Sequence, residues 1–64
     1  MRVLITSLDC DGRRWRIQIE ERRIRVFELL GGSVAAHGRT LRGLPELGAW
    51  LVTRELAPDD LTEA

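Results

Sequence analysis

The sequence predicts an α+β domain: a three- to four-stranded antiparallel β-meander followed by one C-terminal α-helix packed on one sheet face. Three observations carry that reading. Apolar and polar residues alternate over residues 13–20 and resume from residue 23, which is the period of a half-buried strand. Asp9-Cys10-Asp11-Gly12 and Gly31-Gly32 interrupt the first half of the chain with residues that end strands and make turns. After Gly43 the apolar spacing changes to Leu44, Leu47, Trp50 and Leu51, the period of a helix with one apolar side.

The first strand is residues 2–8, rich in aliphatic and β-branched types. In the turn that follows, Asp is a natural starter and Gly12 can take positive φ at a bulge. Asp9 and Asp11 also match the opening of a calcium loop, but the later ligands and closing Glu are absent, so the pair reads as turn chemistry. In the second strand, residues 13–20, Trp15, Ile17 and Ile19 point one way, and Arg14, Arg16, Gln18 and Glu20 the other.

The third strand is residues 23–30. The Glu21-Arg22 turn lacks the glycine that tight hairpins prefer, yet parity pairs Ile19 with Ile24, Ile17 with Val26 and Glu20 with Arg23. A bulge at Gly12 would place Val3 and Ile5 beside Ile19 and Ile17. One apolar face then holds Val3, Ile5, Trp15, Ile17, Ile19, Ile24 and Val26.

Residues 33–37 read equally as a short fourth strand or an irregular loop, and 38–43 as a connector. Pro45 and Glu46 suit a helix start, and residues 45–57 form the helix, with Val52 and Leu56 widening its apolar side. Gly48 costs up to about 1 kcal/mol of propensity and would permit close packing on the sheet. Pro58 stops the helix. Residues 1–57 thus make the domain, and residues 58–64 an acidic C-terminal tail.

At 64 residues there is room for one domain. One Cys and one His exclude an internal disulfide and a tetrahedral zinc site. So small a core commonly gains stability from a partner, and a homodimer or an obligate protein partner is the expectation. Ten arginines balance ten acidic residues with no lysine, a bias that fits a high-GC bacterial genome. Every cation is therefore a planar, bidentate donor suited to carboxylate, phosphate or base edges. The apolar run before Leu8-Asp9-Cys10 is too short for a signal or lipoprotein leader, and no run reaches membrane length. A cytoplasmic location is expected.

No enzyme chemistry and no cofactor are expected. His37 reads as a surface or strand-end residue. Cys10 lies between two acids, which raise a thiol pKa. The Ser and Thr hydroxyls have no recognisable base beside them, and Gly31-Gly32 lacks a phosphate-loop frame. Trp15 and Trp50 read as core, meeting where helix meets sheet.

One helix covers one side of the sheet. The other side carries Arg14, Arg16, Gln18, Arg23 and Arg25, interleaved with Leu4, Phe27 and Leu29. Long Arg stems and Glu20 as counter-charge suit a solvated face. Arg beside Phe and Leu, without Lys, is equally the composition of a protein interface. The expected function is a small, non-enzymatic regulatory module acting through protein–protein contacts and self-associating. Its candidate contact residues are Arg14, Arg16, Gln18, Arg23, Arg25 and Phe27. Open edges at the first strand and the last meander strand offer a second route to pairing.

The alternative is a sequence-specific DNA-binding regulator, with Arg reading guanine and Gln reading adenine from the sheet face. Three strands then a helix, with Trp15 in the second strand and Trp50-Leu51 in the helix, resembles the AP2 and integrase arm-binding domains in architecture over residues 2–56. That resemblance implies double-stranded DNA as the partner. The neutral net charge opposes tight phosphate binding.

Overall fold

The alternating segment around Trp15 forms strand β2 (Arg14–Ile19) at the centre of a five-stranded antiparallel sheet. The computed structural model describes the backbone of residues 1–64 and the side chains of all but residues 35–37. The other strands are β1 (Arg2–Thr6), β3 (Ile24–Leu30), β4 (Ser33–Leu41) and β5 (Leu61–Glu63), in the order β4-β3-β2-β1-β5. A single helix, α1 (Leu44–Thr53), follows β4. The chain thus leaves one edge of the sheet, crosses a face as α1, and returns to the opposite edge as β5.

The meander predicted from the alternation is present, with more strands than expected. The β2–β3 register is the predicted one, Ile19 opposite Ile24 and Ile17 opposite Val26, and Glu20 N–H donates to the Arg23 carbonyl. Gly31 and Gly32 have φ of 59° and 86° between the paired residues Leu30 and Ser33. A turn with two left-handed residues is one of the few that match the strand twist in so short a hairpin. It launches a β4 of nine residues that absorbs most of the expected connector. At Gly38 an added Cβ would lie 3.2 Å from the Val26 carbonyl oxygen and 3.5 Å from the Trp15 ring. The missing side chain lets irregular β4 pass close over Trp15.

The expected parity of β1 is overturned. Leu4 pairs with Ile17, Val3 with Gln18 and Ile5 with Arg16. Leu4 and Thr6 therefore face the core, and Val3 and Ile5 share the arginine side. The extra residue is absorbed in the loop rather than in the ladder. Asp9 N–H donates to the Arg13 carbonyl, a pairing displaced by one residue from the strand register, while Thr6 Oγ1 accepts the Trp15 N–H at 3.0 Å. A one-residue offset exchanges the faces of a strand.

Helix and tail also differ from expectation. α1 ends at Thr53, not at residue 57, because Glu55 adopts φ 57°. Glu55 N–H then donates to the Val52 carbonyl and Leu56 N–H to the Leu51 carbonyl, the paired bonds of a Schellman stop. Leu44 and Val52 are exposed, and nothing approaches the Cβ position of Gly48, so that glycine serves no close packing. Residues 58–64 are not a free tail. A 3-10 turn (Pro58–Asp60) leads into β5, where Leu61 pairs with Thr6 and Glu63 with Leu4. The strand β1 is consequently not an edge; β4 and β5 are.

The core lies between α1 and one sheet face: Leu4, Trp15, Ile17, Ile24, Val26 and Leu41 below, Leu47, Trp50, Leu51 and Leu56 above. Trp15 and Trp50 meet edge to face, centroids 5.3 Å apart, as their positions predict. No helix among the described residues is long and apolar enough to cross a membrane.

Candidate functional site

Strand alternation places a second set of side chains on the face away from α1. Directly opposed residues share a face, so the register builds it row by row. Ile5, Arg16 and Phe27 form one row, Val3, Gln18, Arg25 and Thr40 a second, and Arg14, Leu29 and Val34 a third. Among the described residues no element packs over these rows; α1 lies on the other face.

Polar groups on this face divide into two ends. At the β2–β3 hairpin, Glu20 gathers its neighbours: Arg23 Nε donates to Oε1 at 2.9 Å, and Gln18 Nε2 and Arg25 Nε donate to Oε2 at 2.7 and 2.6 Å. The Arg23 bond first, then Gln18 and Arg25, hold the Glu20 carboxyl at a pKa of about 2, against a partial desolvation that acts the other way. Arg25 also sits 5.6 Å over the Phe27 ring. Gln18, Arg23, Arg25 and Phe27 therefore form one closed polar knot, and Gln18 is buried.

The other end is apolar and cationic. Val3, Ile5, Leu29 and Val34 line an open groove of about 960 Å³, with Leu8 and Leu30 at its rim. Leu8 is 59% exposed, Leu30 60% and Val34 43%. Arg14 and Arg16 line the same groove. Arg16 Nε is shielded from solvent without a hydrogen-bond partner, and neither guanidinium forms an ion pair among the described residues. The structure thus splits the six expected contact residues: Arg14 and Arg16 at the groove, the other four in the Glu20 knot. It also replaces Leu4, which is core, by Val3 and Ile5. Sequence reading missed these two because the loop offset that exposes them leaves no residue signature.

The groove is backed by a latch on the helix side. Asp9 is buried; its Oδ1 accepts the Asp11 and Arg13 N–H groups at 2.8 and 2.9 Å, and its Oδ2 accepts Trp15 Nε1–H at 2.8 Å. Burial pushes the carboxyl up, but those donors and Arg54 outweigh it and hold it below its ordinary value. Arg54 lies 5.0 Å over the Trp15 ring and 3.2 Å from Asp11. This cluster fixes the β1–β2 loop to the end of α1 and accounts for Asp9 and Asp11 as turn chemistry.

Cys10 is exposed. Partial desolvation, then the charges of Asp11, Glu55 and Asp9, push its thiol pKa up, the direction the flanking acids predict and the wrong one for a nucleophile. The His37 side chain lies outside the described residues. Among the described residues no group of three or more His, Cys, Asp and Glu is placed to hold a metal. Comparison with known protein families, characterised proteins and solved structures finds no match to this chain.

Proposed function

We propose that this protein is a small, non-enzymatic protein-binding module that works through the sheet face opposite α1. The observation that carries the reading is the uncovered groove of Val3, Ile5, Leu29 and Val34. Exposed contiguous apolar surface opposes solubility, and where it is rimmed by polar residues it marks an interaction site. Arginine beside aliphatic side chains is the chemistry of interface anchors.

Base reading by the same face has weaker support. Gln18, Arg23 and Arg25, three of the five expected readers, are engaged by Glu20, whose carboxylate would meet a phosphate backbone with like charge. Aliphatic side chains occupy the centre of the remaining surface. The self-association expected from size has a separate route, the nine-residue β4 at the end of the strand order, since an edge strand can accept another strand.

Panning a random peptide library against the protein, with the Ile5→Glu/Leu29→Glu double variant as counter-target, tests the reading. Both positions lie off the core, so the variant is expected to melt cooperatively like the parent. Peptides retained by the parent and lost by the variant are the expected result. Enrichment of none, or equal retention by both proteins, would overturn it.

A further inference from the structure

We infer that the partner presents an acidic, apolar peptide segment to the groove, its carboxylates meeting Arg14 and Arg16. The inference rests on the protein-binding reading above and adds the chemistry of the occupant. Among the described side chains, charge on the face is one-sided: Arg14, Arg16, Arg23 and Arg25 against the Glu20 carboxylate, which is already shared by Arg23 and Arg25, although Ala64 also lines the groove. The chain is neutral overall, and its carboxylate side chains away from this face include Glu46, Glu55 and Asp59 on α1 and the segment after it.

Two copies meeting through this face would bring guanidiniums against guanidiniums, because a two-fold interface opposes a patch to itself. A second copy in that arrangement is therefore the wrong occupant. Arg16 points to the right one. It stands between Ile5 and Phe27 in the cross-strand row, and its Nε is shielded without an acceptor among the described residues. A buried, unpaired donor is costly. A carboxylate in the groove that Arg14 and Arg16 line would meet the accessible parts of these guanidiniums in a charge-assisted pair. Side chains flanking that carboxylate must be apolar to fill the spaces over Val3, Ile5 and Leu29.

The test uses three display libraries that share Leu, Ile and Phe positions, the intervening positions being Asp/Glu, Ser/Gln or Lys/Arg. Winners are titrated against the parent and the Arg14→Gln/Arg16→Gln variant at low and high salt. Selection from the acidic library is expected, with binding weakened about tenfold or more by the variant and weakened by salt. Face-dependent winners from the neutral or basic library would overturn the inference and leave the protein-binding reading standing. So would acidic winners indifferent to the arginine variant. Failure of all three libraries would remove both. A short duplex DNA runs in parallel: tight binding that Ile5→Glu/Leu29→Glu abolishes would replace the peptide by nucleic acid.

Discussion

Thr6, Asp9 and Glu20 each take on a task that their residue type alone does not announce. Thr6 is 2% exposed, and its hydroxyl accepts from Trp15 N–H while donating to the Ser7 carbonyl. That exchange stabilises the point where strand register gives way to loop register. Asp9 was legible as a turn residue, but its bond to Trp15 Nε1 was not, because it spans two elements. Glu20 was legible as a counter-charge; that it gathers three donors follows only from the hairpin geometry. Its depressed pKa has a consequence for stability. A carboxyl lowered from 4.5 to about 2 on folding contributes stability that is complete above the unfolded value and is lost as pH falls toward the folded one. Asp9, also lowered, acts in the same direction. Thermal melts from about pH 5 to about pH 2 should show a falling Tm, and Glu20→Gln should flatten that fall. Parallel curves for parent and variant would show that the Glu20 knot does not form.

At the scale of elements, legibility tracked the source of each boundary. The β2–β3 hairpin was readable because residues on both sides of the turn alternate and only one register keeps the faces apart. The β1 register differs by one residue from the expected one because its run, Val3-Leu4-Ile5, is apolar on both faces and carries no parity. The sequence marks a helix end at Pro58 because proline is a visible stop. The real stop is an ordinary glutamate in left-handed backbone, which has no sequence mark. Glu55 bears the steric cost of φ 57°, roughly 1 kcal/mol or more for an L-residue. Glycine is the usual residue at that cap position. Glu55→Gly is therefore expected to raise stability by about 1 kcal/mol, read as a higher denaturant midpoint with an unchanged slope. A lower midpoint would mean that the Glu55 side chain contributes more than its backbone costs. β5 escaped the sequence reading altogether: three residues after a proline carry too little pattern to announce a strand.

For the whole molecule, the governing fact is that one ten-residue helix serves a five-stranded sheet. The Cα radius of gyration, 10.7 Å, equals the roughly 10.7 Å of a fully compact chain of this length, so the open face is not a sign of loose folding. α1 and the C-terminal crossover cover the core of one face, and the other is left with aliphatic side chains and with Arg14 and Arg16, which form no ion pair among the described residues, lining the groove. The flip of β1 sharpens this contrast, because it moves Leu4 into the core and puts Val3 and Ile5 outside. Paramagnetic relaxation of side-chain methyls by a soluble gadolinium chelate reads that division directly. Methyls of Val3, Ile5 and Leu29 should relax much faster than those of Leu4, Ile17 and Val26. Ile5 and Leu29 as protected as Ile17, or Leu4 as accessible as Ile5, would contradict the uncovered face on which the proposed function stands.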